Sequence, residues 1–482
     1  MSSLKRRSAI AVAWDLGGVL LNHGTSFIIS IFLARLLSPK EFGLVGMAMV
    51  FITISQVFVD VGFSSALIQN KRNSNLGYNS VFYFNIVAGL LLTILFFFLA
   101  PFIGLFYENN TVSNLVRWLS LSILISSFNQ VQSAILSRKL DFKALALRHV
   151  IASVVGGIVG VLAAFNGAGV YALVLKSLLA SFLSSVLLWK ASKWRPSLQF
   201  SLDELKKMMG FSSYVFFDRI VTTILGSLDV LTVAKVFSAS TLGFYSRAVT
   251  LKDQVTTYST VSIQKVFFPV LSSLQENEAE YQRIYFRIIS VVAFVSYGLT
   301  GVLYILGEPI IIGLFGEKWG ASVAIFQVLI LSACNTPLNA MMINAFMSKG
   351  LTKENFKIGL FRKAVQLIPI LIAYYYGLYA FTVSVVIVSY LITFTNILFL
   401  SHYLQLSISK HLLKVFEGMF PLLLFIAIIK FIGLDGLCIK LIFALLFGIF
   451  YCAYSYVLKS EGFVFVQQNI LNGVSKWILK RK

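Results

Sequence analysis

Charged side chains set inside apolar sequence are the first feature of this chain that could do chemistry. The block FFDRIVTTILGSLDVLTVAKVF carries Asp218, Arg219, Asp229 and Lys235. At about 100° per residue, Asp218 and Asp229 lie within roughly 20° of each other on a helix. The following block carries Arg247, Gln254, Tyr258 and Lys265 within roughly 20° of a common line by the same rule, with Lys252 and Asp253 beside them. Earlier in the chain Asp15, Asn22 and Ser26 share a stripe, and Gln56 stands one turn before Asp60. In hydrocarbon each ionisable group costs at least about 2.5 kcal/mol at mid-membrane, so it faces a partner or a wet cavity. Arginine suits an anionic cargo because its planar fork donates bidentately to phosphate oxygens. Arg219, Arg247, Lys252, Gln254 and Tyr258 are therefore candidate substrate contacts, and Asp60, Asp218 and Asp229 candidate sites for a coupling proton or sodium ion.

Plainer roles compete at several of these positions. Arg247 and Lys265 are about 27 Å apart along a helix, which also suits snorkelling to opposite interfaces. Lys235 and Arg35 stand at helix ends, Lys430 and Lys440 fit an interface, and Asp218 can simply neutralise Arg219. His23 fits a packing role on an otherwise apolar helix.

The elements that must position these residues are membrane helices. The 482 residues are 58% hydrophobic and 12% charged, against roughly 25% charged in soluble domains. Apolar blocks of about twenty residues, each long enough to cross a bilayer core, recur from end to end. They predict spans at 12–36, 42–68, 78–106, 113–136, 147–165, 168–189, 211–236, 242–268, 286–306, 321–347, 357–376, 378–402, 415–433 and 437–457. Twenty-eight Lys and Arg fall in connections on one side of this ladder and four (Arg35, Lys40, Arg117, Lys318) on the other. Basic loops face the cytoplasm, so the alternation predicts an even number of spans and cytoplasmic termini. The same distribution explains the net charge of +21 without nucleic acid, as attraction to anionic lipids. The basic N-terminus precedes no cleavage-like site, so the first helix is expected to stay. Cys334, Cys438 and Cys452 have no metal-ligand spacing. Phosphate-loop, HExxH and nucleophile-elbow motifs are missing, and no connection is long enough for a catalytic domain. The expectation is a transporter with no catalytic residue, cofactor or metal.

The chain also repeats itself. FLARLLSPKEFGLVGMA (32–48) aligns without gaps on TVAKVFSASTLGFYSRA (232–248), with Ala34/Ala234, Ser38/Ser238, Gly43/Gly243 and Ala48/Ala248 identical. An offset of six helices keeps both copies in one orientation, which predicts a parallel repeat with substrate between the halves. The domains expected are an N-lobe at 1–189, a cytoplasmic linker at 190–210, a C-lobe at 211–403, two further helices within 410–458 and a basic tail at 459–482. In the linker, Ser201 and Glu204 fit a capping box opening a short amphipathic interfacial helix.

The runs LARLLSPKEFGLVGMAMVF (33–51) and DVGFSSALIQ (60–69) resemble the start of bacterial polysaccharide flippases of the Wzx type. These form the polysaccharide-transport branch of the superfamily that also holds multidrug exporters and the lipid II flippase. The L-S-P-x-E-F-G signature is fairly specific for that branch. The likeness in helix layout covers nearly the whole chain; the motif match is confined to its first part, and the second repeat lacks the Pro and Glu. The resemblance implies an all-α integral membrane fold of about fourteen transmembrane helices, in two parallel-repeat six-helix lobes arranged as a V plus two C-terminal helices. It implies a flippase in the bacterial inner membrane, moving undecaprenyl-diphosphate-linked oligosaccharide repeat units to the outer leaflet for O-antigen, lipopolysaccharide or exopolysaccharide synthesis. Membrane lipids, a polysaccharide polymerase and chain-length machinery are the partners it implies. A multidrug exporter of the same fold would need an acidic cavity for cationic cargo, which Arg219, Arg247 and Lys252 oppose. A lipid II flippase differs only in the sugar head, and a lipid-using membrane enzyme would need a sizeable extramembrane loop.

Overall fold

The computed structural model describes residues 2–70, 74–433 and 436–468, apart from the side chains of 2–13, 15, 16 and 257–266. The described chain is all helix. It divides into two compact units, Met1–Ser246 with Leu314–Lys318, and Arg247–Gly313 with Trp319–Lys482.

The first unit holds α1 (Ser2–Leu36), α2 (Pro39–Asp60), α3 (Phe63–Gln69), α4 (Asn75–Phe106), α5 (Asn110–Ser127), α6 (Gln130–Arg138), α7 (Phe142–Phe165), α8 (Tyr171–Ser192), α9 (Leu202–Val236) and the start of α10 (Ala239–Ser273). α1 and α8 pack on α7, α5 lies against α2, α4 and α8, and α9 packs on α2, α3 and α4. Two stretches expected as single spans are broken. The stretch 42–68 ends its first helix at Asp60, where Val61 (φ 47°) and Gly62 (φ 81°) are left-handed, and restarts as α3. The stretch 113–136 bends by 42° between α5 and α6. Residues 202–210, expected as a separate interfacial helix, are instead the first turns of the 35-residue α9. Ser201 does cap it, accepting from the Glu204 amide. The Glu204 carboxylate, however, takes the Lys207 ammonium at 2.6 Å and the Ser74 hydroxyl at 3.1 Å instead of closing the box. Those two partners, Lys207 foremost, hold the Glu204 carboxyl below the usual carboxylate range.

The repeated segment folds twice in the same way. Ser38 caps α2 in a full capping box: its backbone amide donates to Glu41 Oε2 at 2.6 Å while the Glu41 amide donates to Ser38 Oγ. Pro39 fills the first helical turn, where its missing N–H costs nothing. The S-P-x-E part of the signature is thus a helix start. In the second copy Ser238 caps α10 through the Thr241 amide and hydroxyl, so Thr241 stands where Glu41 does. The two helix starts cross each other reciprocally. A Cβ added at Gly43 would overlap the Ala239 carbonyl, and one at Gly243 would overlap the Pro39 carbonyl, 204 residues earlier. The ends of α1 and α9 are tied in matching fashion. Arg35 Nε donates to Leu314 O at 2.8 Å, and Lys235 Nζ to Phe106 O at 2.7 Å. Lys318 returns a bond to Arg35 O.

The second unit continues α10 and adds α11 (Glu278–Ile305), α12 (Gly307–Phe315, its last two residues in the first unit), α13 (Ala321–Ile330), α14 (Asn335–Ser348), α15 (Thr352–Val365), α16 (Ile368–Leu404), α17 (Ile408–Ile432) and α18 (Leu437–Val457). α11 is its hub, packed on α13, α14, α17 and α18. The core around it includes Tyr285, Tyr297, Phe346, Phe447 and Tyr451, with the buried His411 bonded to Tyr285 Oη at 2.6 Å. The span expected at 321–347 is interrupted between α13 and α14. Asn339 Nδ2 there bonds Thr393 Oγ1, and Asn396 Nδ2 bonds Asn339 Oδ1. The break expected between 376 and 378 falls at Gly377 (φ 82°), inside α16. Lys440 pairs with Glu308.

Among the described residues ten helical segments are long and apolar enough to cross a membrane, eleven with the bent α5–α6 pair, counting Thr352–Leu404 once. α9 and α10 are outside that number; α9 carries Asp218, Arg219, Asp229 and Lys235 within its apolar part. The chain is an all-α, multi-pass membrane protein.

Backbone-on-backbone contact at Gly43 leaves no room for a methyl group. Gly43→Ala is expected to lower thermal stability by about 1–3 kcal/mol through overpacking. Gly24→Ala, with nothing within 4 Å of its Cβ, is expected to be neutral or stabilising in the same melting experiment.

Candidate functional site

Asp60 ends α2 and is 3% exposed. The left-handed turn after it swings α3 back so that Ser64 donates twice to Oδ1, from its amide at 2.9 Å and its hydroxyl at 2.6 Å. A β-branched residue at positive φ is uncommon, and such strain gathers at functional positions; Val61 is one. Asp60 Oδ2 has no hydrogen bond. It faces the Arg219 guanidinium of α9, with Nη1 at 3.6 Å. Arg219 is half exposed and its other terminal nitrogen reaches only Ser65 Oγ at 3.3 Å. Asn85 of α4 lies beside Asp60, fully buried, with neither amide atom hydrogen-bonded. A carboxylate this deep needs a counter-charge or a proton. Arg219 supplies the charge, loosely.

The other carboxylates are placed differently. Asp229 Oδ2 accepts from Tyr245 Oη at 2.9 Å, and Oδ1 from the Val230 amide. Asp218 is exposed. Although Asp218 and Asp229 share a face of α9, only Asp60 lies against Arg219.

Within the second unit Arg247 is 7% exposed, with its guanidinium 5.5 Å from the centre of the Trp319 ring, an attractive cation–π arrangement. Lys252 pairs with its neighbour Asp253 at 3.3 Å, and Gln254 is half-buried. The side chains of Tyr258 and Lys265, like that of Asp15, lie outside the described residues. Arg35 and Lys235 do more than snorkel, each donating to a main-chain carbonyl. His23 lines a cleft between α1 and α7 of about 290 Å³ with Asn22 and His149.

Sequence reasoning missed Ser64, Ser65 and Asn85 around Asp60. It also missed the chain of Arg362, Asn396, Asn339 and Thr393 that links α14, α15 and α16. Asn335 and Asn339 four apart in an apolar run were a usable signal, as was Ser64 four after Asp60. Among the described residues no three His, Cys, Asp or Glu side chains gather as metal ligands would.

Repeated apolar helices with ion pairs set between them place the chain in the class of multi-pass membrane proteins. It belongs to the polysaccharide biosynthesis protein family, whose family model matches residues 32–324. Among curated proteins it is 22% identical to the lipopolysaccharide biosynthesis protein WzxC of Escherichia coli, over 75% of this chain and 74% of that one. It is 26% identical to the teichuronic acid biosynthesis protein TuaB of Bacillus subtilis over 57% of each. To the succinoglycan biosynthesis transport protein ExoT of Rhizobium meliloti it is 23% identical over 67% of this chain and 65% of that one. Among solved structures it resembles the lipid II flippase MurJ in an inward closed conformation, with TM-score 0.71, 16% identity and coverage of 93% and 98%. A MATE-family multidrug transporter in an inward-facing conformation follows at TM-score 0.61, 16% identity and coverage of 80% and 94%. The fold is that of these two solved structures, and the resemblance to Wzx-type polysaccharide flippases holds.

Asp60 and Arg219 are coupled by charge across two helices. A double-mutant cycle of Asp60→Asn and Arg219→Gln is expected to give a coupling energy of about 1 kcal/mol in thermal unfolding, modest because the pair is 3.6 Å apart and half exposed on the guanidinium side. The same cycle on Asp218 and Arg219 should give a value near zero.

Proposed function

We propose that this protein flips a polyprenyl-diphosphate-linked oligosaccharide, of the undecaprenyl kind, from the cytoplasmic to the outer leaflet of the bacterial inner membrane. The observation that carries the reading is Arg219, a half-exposed guanidinium halfway along an intramembrane helix and only loosely held by its buried partner. An anionic cargo gives such a group a second, bidentate partner. The named relatives are proteins of lipopolysaccharide, teichuronic acid and succinoglycan biosynthesis. A site that grips a phosphate and leaves the saccharide loosely held suits that range of names. Lys252, Gln254 and Tyr258 are proposed as further cargo contacts from α10. Arg247, stacked on Trp319, is proposed to add positive potential.

In this reading fourteen helices span the membrane with both termini cytoplasmic, as the loop charges require. They form lobes at 1–189 and 211–403, the helices within 410–458 and a basic tail at 459–482. Arg35, Lys318, Lys235 and the Gly43–Gly243 crossing then lie at the outer face. In this reading their bonds hold the two repeats together at that face and part during alternating access. Asp60, Asp218 and Asp229 are the proposed carriers of a coupling proton or sodium ion. Handover to a polysaccharide polymerase and its chain-length machinery follows at the outer leaflet.

Arg219→Ala combined with Lys252→Ala is expected to abolish surface polysaccharide in cells that depend on this protein, with normal protein levels and with lipid-linked sugars accumulating in the cytoplasmic leaflet. Wild-type surface polysaccharide in the double variant would overturn the cationic site.

A further inference from the structure

We infer that the buried Asp60 and the phosphate of the cargo compete for Arg219, so that a proton taken up by Asp60 is what frees the guanidinium to bind. The inference rests on the proposed anionic cargo and adds how its binding is regulated. Four observations carry it. The two oxygens of Asp60 are unequal: Oδ1 holds two hydrogen bonds from Ser64, and Oδ2 holds none. The free oxygen is the one turned to Arg219, at 3.6 Å, an ion pair without a hydrogen bond. Arg219 is half exposed on the other side, and among the described residues its further tether is a long bond to Ser65. Finally, Asn85 is buried with its amide next to the carboxyl, close enough to interact with it but without a hydrogen bond of full geometry at either amide atom. An amide can donate to a carboxylate and equally accept from a carboxylic acid. It can therefore stabilise Asp60 in either protonation state.

The chemistry follows from burial. If the guanidinium turns to a diphosphate, Asp60 is left as a lone anion in an apolar interior, which is several kcal/mol unfavourable. A proton on Oδ2 removes that charge. The exchange is balanced: one carboxylate–guanidinium pair, one proton and one diphosphate give one carboxylic acid and one diphosphate–guanidinium pair. The groups that face Asp60 are Arg219 from α9, Ser64 from α3 and Asn85 from α4, and of these only Arg219 is charged. Among the described residues no other charge faces Asp60. The neighbouring Asp218 is exposed and remains available to solvent.

The test is binding of geranylgeranyl diphosphate to the purified full chain in detergent, from pH 5 to pH 8. Asp60→Asn is expected to bind about tenfold more tightly than wild type at pH 8, a coupling of ordinary size. Its profile should show only the titration of the diphosphate itself, while wild type approaches it as the pH falls. Arg219→Gln is expected to lose binding at every pH. If Asp60→Asn does not purify as a folded protein, Asp60→Ser removes the same charge. Arg219→Gln binding as well as wild type would overturn the anionic-cargo reading. Loss of binding in Arg219→Gln, with the Asp60 variants keeping the wild-type affinity and pH profile, would overturn the competition alone.

Discussion

The fold hangs on a place where two stretches of backbone touch. α2 and α10 start from equivalent capped turns and cross where Gly43 meets the Ala239 carbonyl and Gly243 meets that of Pro39. In a bilayer there is little hydrophobic gain from bringing helices together, so close packing of small residues carries much of their association. Because the contact is reciprocal, fixing one copy of the repeat fixes the other. The matching bonds from Arg35 to Leu314 and from Lys235 to Phe106 then lock the adjoining helix ends in register. A crossing of this kind is also separable: it holds through shape and a few polar bonds, not through a broad apolar interface.

From that crossing α2 runs to Asp60, and α9, ending beside it, brings Arg219 to the same level. The geometry therefore turns a sequence oddity, acids and bases inside apolar helices, into a single site. An isolated charge in this setting is expensive. Two charges at 3.6 Å with one oxygen unbonded are tolerable and still exchangeable. A tight bidentate pair would be a structural fixture, and an unpaired arginine would be a standing cost.

Much of this was legible from the residues. The blocks of apolar residues gave the all-helical membrane fold, and the self-alignment at an offset of 200 picked out Gly43 and Gly243 before any contact was known. The break at Gly377 and the cap at Ser201 were readable because glycine and serine act locally. Breaks at Val61–Gly62 and between α13 and α14 were not, since hydropathy averages over a few polar residues that interrupt a helix without making it less apolar. The pairing of Asp60 with Arg219 was invisible for a different reason. The residues are far apart in sequence, no periodicity links them, and the two had been given separate roles. Trp319 under Arg247 is the same case. Sequence shows that a buried charge needs a partner, and only the fold shows which.

The central claim is that the chain moves an anionic lipid-linked saccharide across a bilayer, and reconstitution of the full chain measures it directly. Proteoliposomes carrying a fluorescent polyprenyl-diphosphate disaccharide in both leaflets would be treated with a membrane-impermeant quencher, with and without an imposed proton gradient. The account predicts that wild-type protein exposes the inner-leaflet pool to quencher and that the gradient speeds it, while empty liposomes protect that pool. Protection equal to that of empty liposomes, with correctly folded protein present, would contradict it.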